Sequence, residues 1–116
     1  MVRVSHQHFE RLVAQALDDL PDWVRERMEN VEVLVADVPP QDEPNLLGRY
    51  EGIPLAKRGP GYFGVLPDRI TLYRSTLQRV SSDKLNLKRH IHHTVAHEVA
   101  HFFGISDERL HEIDRY

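Results

Sequence analysis

The sequence predicts an α+β fold in which a short sheet packs against an N-terminal helix and a long C-terminal helix. Two observations carry this. Apolar residues recur at helical spacing at both ends of the chain, and β-branched runs with period-two alternation lie between them. A third bounds the size: 116 residues with 41% hydrophobic side chains suffice for one core and not for two, so residues 1–116 are expected to form one domain.

Taken in order, Ser5 is placed to cap a helix running from about His6 to Asp19, with Phe9, Leu12, Val13, Ala16, Leu17 and Leu20 along its apolar face. Pro21 suits the first position of a second helical piece to Glu29, which is expected to carry Trp23, Val24 and Met28 inward. Val31 to Val38 reads as a strand stopped by Pro39 and Pro40, followed by an acidic turn from Gln41 to Asn45. Leu46 to Leu55 reads as a short strand bending at Gly48 or Gly52, and Gly59-Pro60-Gly61-Tyr62-Phe63-Gly64 as a loop. That loop lacks the Walker spacing and its Lys-Ser/Thr ending, so it is not a phosphate loop. Arg69 to Arg74 alternates as a strand feeding a helical turn to Val80; were it an edge, an extended peptide could add beside it. Ser82 or Asp83 is placed to cap the long helix from about Lys84 to Phe103.

Composition excludes several classes. The absence of cysteine rules out disulfides and thiolate metal sites. A net charge of −3, with both signs mixed along the chain, argues against a nucleic-acid surface. No apolar run is long enough for a bilayer, and the first eight residues hold no signal core, so no membrane association and a cytoplasmic location are expected.

The chemistry concentrates in His97-Glu98-Val99-Ala100-His101-Phe102-Phe103-Gly104-Ile105-Ser106-Asp107, an H-E-x-x-H-x-x-G-x-x-D pattern. Residues four apart share a helix face, so His97 and His101 can offer two imidazoles to one ion. Glu98, one residue round, can reach a water held by that ion and act as general base. Gly104 ends the helix at little conformational cost, and Asp107, six residues past His101, can return a carboxylate to the metal. Leu87, Ile91, Val95, Val99 and Phe102 form one stripe of this helix, and His90, His93, His97 and His101 a neighbouring one. His93 lies two turns, or ~12 Å, from His101 and cannot share an ion with it; it is expected to be exposed, with support of a ligand or a substrate-facing role as the alternative. Ser106 is placed to cap a last helix from Asp107 to Asp114, on which His111 is the alternative third ligand.

Around these residues the chain resembles the zincin metallopeptidases with the extended motif, and more narrowly the small bacterial minimal zincin-like metallopeptidases. The supporting stretches are Leu46-Leu47-Gly48-Arg49-Tyr50-Glu51-Gly52, Pro67-Asp68-Arg69-Ile70-Thr71-Leu72-Tyr73-Arg74 and His97 through Leu110. The resemblance implies a zincin-like mixed α/β fold with Zn2+ on the long helix and a peptide or protein substrate. The third ligand position holds Asp107 instead of His, and Met1 and Met28, both upstream, leave no Met-turn, so the floor of the site is expected to be built differently. The reading is therefore a zinc-dependent hydrolase, a metallopeptidase, with His97, His101 and Asp107 as ligands and Glu98 as base. Tyr50, Tyr62, Tyr73, Arg58 or a further histidine would stabilise the oxyanion. Two alternatives remain open: a metal-holding module that acts by binding a protein partner, and a metal-dependent endoribonuclease. The endoribonucleases place glycine where this chain has Glu98, and the acidic balance also counts against RNA. Substrate and oligomeric state are not legible.

Overall fold

The computed structural model describes residues 1–62 and 66–109. In chain order these form α1 (His6–Asp18), α2 (Asp22–Glu26), β1 (Val31–Ala36), β2 (Gly48–Glu51), a 3-10 turn (Leu55–Lys57), β3 (Asp68–Tyr73), α3 (Arg74–Arg79) and α4 (Lys84–Phe102). The expected loop residues Phe63 and Gly64, the last helix beyond Arg109 and His111 lie outside the described residues.

The sheet has the order β1-β3-β2. β1 runs parallel to β3, with Val33 opposite Ile70, and β2 runs antiparallel, with Gly48 opposite Leu72 and Tyr50 opposite Ile70. The sheet is therefore mixed, and β3 is its centre. That corrects the thought of β3 as a docking edge: β1 and β2 are the edges, and β2 is shorter than the expected Leu46–Leu55 strand. Glycine at 52, with φ of 146°, ends it in backbone that a side chain would strain.

Local signals set the helix limits. The Ser5 hydroxyl accepts from the His8 amide at 3.1 Å, and the Asp83 carboxylate accepts from the Asn86 amide at 2.7 Å, so each helix start has one orphan donor satisfied. At the other end of α4, Gly104 takes φ of 91°, its amide bonds to His101 O at 2.9 Å, and the Ile105 amide bonds to Ala100 O at 3.0 Å. These paired bonds are the Schellman arrangement, which needs a residue without Cβ at this point.

Helices α1 and α4 pack together, and α4 lies along β2 and β3. The core joins Phe9, Leu12, Val13 and Ala16 of α1 to Ile70 and Leu72 of β3 and to Leu87, Ile91, Val95 and Val99 of α4. Burying one stripe of α4 leaves the adjacent histidine stripe facing outward. Trp23 departs from expectation. It is 56% exposed, its ring meeting Phe103 edge-on at 5.9 Å, because α2 lasts only five residues and seats Val24 alone in the core. Among the described residues no helix is long and apolar enough to cross a membrane.

Candidate metal centre

A cleft of about 450 Å³ opens between α4 and the β2 edge, lined by His93, Thr94, His97, Glu98 and His101 on one side and by Leu46 to Tyr50 on the other, with Glu43 and Asp107 also at its wall. Helical periodicity alone stacks His93, His97 and His101 there, the ring centroids 6.3 Å and 4.6 Å apart in succession. His90 does not join them; its Nδ1 lies 2.9 Å from the buried Ser81 hydroxyl.

The reversal at Gly104 returns Asp107 to the histidines. Its Oδ1 lies 3.0 Å from His97 Nε2 and 2.7 Å from His101 Nε2. A carboxylate oxygen only accepts, so each Nε2 facing it must carry either a proton or a metal ion. The His101 bond holds the Asp107 carboxyl below the usual carboxylate range, against an opposing effect of burial that is larger than the added contribution of the His97 bond. Ser106 Oγ accepts from the Arg109 amide at 3.2 Å, so the turn that presents Asp107 is itself capped.

Glu98 behaves differently from Asp107. Its residue is 5% exposed, whereas the Asp107 side chain is 78% exposed. Glu98 Oε1 lies 3.2 Å from His101 Nδ1, the nitrogen turned away from Asp107. Donation from Nδ1 fixes the tautomer that leaves Nε2 to a metal. His97, Glu98 and His101 also offer ligand atoms within 4.8 Å of one another. The chemistry of the whole group, two imidazoles and carboxylate oxygen without thiolate, suits zinc. Glu98 lies in the group with both histidines, and one Asp107 oxygen meets both Nε2 atoms, so either carboxylate could complete a site.

Behind Tyr50 of the cleft wall lies a buried ion pair that sequence reasoning did not assemble. Arg58 Nη2 donates to Asp68 Oδ2 at 2.7 Å, with side-chain exposures of only 6% and 3%. Asp68 also accepts from the Tyr50 hydroxyl and, at 3.2 Å, from the Ile53 amide. The rest of the guanidinium donates to Ile53 O at 2.9 Å and Glu29 O at 3.1 Å. Arg58 also covers the Phe102 ring at 5.0 Å, and Tyr50 meets that ring edge-on at 6.2 Å. Phe102 follows His101 directly, so this network braces the end of α4 that carries the histidines. Burial first, and the bond to Asp68 second, push the Tyr50 phenol well above its ordinary pKa.

The family model for zincin-like metallopeptidases matches residues 28–116 of the sequence. Among solved structures, a conserved hypothetical protein from T. thermophilus is similar, with a TM-score of 0.57 and 26% identity, over 84% of this chain and 92% of that one. No curated protein matches the sequence.

Proposed function

Since the chain belongs to the zincin-like metallopeptidase family, we propose that it is a zinc-dependent peptidase in which His97, His101 and Asp107 hold the ion and Glu98 is the general base. The observation that carries this reading is the meeting of two Nε2 atoms on one Asp107 oxygen beside a buried glutamate. When bound, zinc would supply a Lewis acid for a substrate carbonyl and lower the pKa of water toward neutrality. Glu98 takes the proton of the attacking water and passes it to the leaving amine. The β2 edge, paired only with β3 among the described residues, offers main-chain groups to an extended peptide along the cleft. The carboxylates of Glu43, Glu98 and Asp107 at the wall favour an amide substrate over a phosphodiester.

Geometry narrows the choice of oxyanion donor. The Tyr50 hydroxyl is given to Asp68, and the Arg58 guanidinium is bonded to Asp68, Ile53 O and Glu29 O away from the cleft wall. Tyr62 and Tyr73 are absent from the cleft wall. His93 lines it, and its ring nitrogens have no hydrogen-bond partner among the described residues, so His93 takes this role in our reading.

Zinc titration combined with digestion of a peptide library, on the wild type and on Glu98→Gln, tests the proposal. We expect one equivalent of zinc in both proteins, with cleavage only in the wild type. Loss of zinc from Glu98→Gln would make Glu98 a ligand and overturn the mechanism. A zinc-loaded wild type that cleaves nothing would mark a metal-holding interaction module instead.

A further inference from the structure

Gly48 of β2 faces α4 at Thr94 and Glu98. A Cβ added there would lie 2.9 Å from Thr94 Cγ2, 3.2 Å from Thr71 O and 3.4 Å from Glu98 Cγ. The first distance is closer than carbon atoms approach one another, the second is tight, and the third is ordinary contact. Conformation is not the reason for glycine here: Gly48 is a paired strand residue opposite Leu72, and only Gly52 and Gly104 take positive φ among the described glycines. What glycine supplies is space.

Thr94 and Glu98 are one helical turn apart and so present to the same strip of β2. Both are buried, at 5% exposure each, yet both line the cleft. The side chain missing at 48 is what lets β2 close on α4 at Thr94, one turn before Glu98. We propose that Gly48 is a positioning residue for Glu98: the close approach it allows at Thr94 sets the seat of Glu98 between β2 and α4. The catalytic consequence rests on the reading of Glu98 as general base.

The test is Gly48→Ala, with Thr94→Ser as the relieving change, because serine removes the Cγ2 that the new Cβ strikes first. Crystal structures of wild type and variant read the seat directly. Glu98 Cγ should shift by roughly half an ångström or more and the His101 Nδ1 contact should lengthen; an unmoved Glu98 overturns the proposal, whatever the activity. Misplacement of a reacting group by about 1 Å costs on the order of 100-fold in rate, so kcat for peptide cleavage should fall at least about tenfold. KM should stay within about threefold, a split that general loosening of the fold would not produce. Gly48→Ala/Thr94→Ser should fall between Gly48→Ala and Thr94→Ser in kcat. If Gly48→Ala does not fold, the double variant carries the test: Glu98 placed as in Thr94→Ser, or kcat within about twofold of it, overturns the proposal. A wild type without peptidase activity, or an active Glu98→Gln, would sink the mechanistic reading while leaving the displacement of Glu98 to be read in the crystals.

Discussion

Replacing Asp68 with Asn keeps the shape of the side chain and removes its charge, leaving Arg58 6% exposed with no anion beside it. Removing one partner of a buried ion pair costs about 3–5 kcal/mol, because the remaining charge stays desolvated. At about 0.05–0.15 kcal/mol per residue, a chain of 116 residues is stable by roughly 6–17 kcal/mol, so this one substitution should remove a fifth to most of it. Arg58→Met alone should also be costly, since it strands the Asp68 carboxylate at 3% exposure. The double variant strands no charge. It should therefore cost clearly less than the sum of the single changes, with a coupling of at least about 2 kcal/mol. Urea unfolding followed by circular dichroism on all four proteins, with slopes compared to confirm a common transition, measures the cycle. Single effects that add to within about 0.5 kcal/mol would refute the claim that one buried pair braces the end of α4.

His97→Ala or His101→Ala should abolish zinc binding, and Asp107→Ala should weaken it at least about tenfold, while His93→Ala and His111→Ala change it by less than about threefold; zinc titration of the variants in one buffer decides. A costlier His111→Ala would replace Asp107 in the ligand set. Alkaline pH probes the Tyr50 phenol. Its pKa is raised on folding, so its contribution to stability is fully present below the unfolded value of about 10 and is lost as pH rises through the folded value. Wild-type stability should thus fall with pH above about 10 more steeply than that of Tyr50→Phe, which has no phenol to ionise. Parallel curves from urea unfolding at each pH would show that the Tyr50 phenol is neither buried nor bonded to Asp68 in solution.

How much of this protein could be read without its structure follows the range of the interactions involved. Helix α4, its cap at Asp83, its stop at Gly104 and its apolar stripe rest on neighbours within four residues, so periodicity and cap chemistry were enough. The approach of His97, His101 and Asp107 belongs to the same class, because one helix and one turn span all three. Trp23 was misplaced because a local pattern shows that a residue is apolar without showing whether its helix is long enough to bury it. The sheet order was out of reach for a related reason. β1 and β2 never pair with each other, and only the packing of both against β3 makes β2 the edge beside the cleft. Arg58, Asp68 and Tyr50 meet across separations of 8 to 18 residues through a loop with no periodicity, and Gly48 against Glu98 spans 50. The sequence alone placed His97, Glu98 and His101 on one helix and Asp107 just past the glycine that ends it. Only the tertiary structure decided what braces that helix and what leaves room for Glu98, because burial and close approach between distant segments depend on how the whole chain packs.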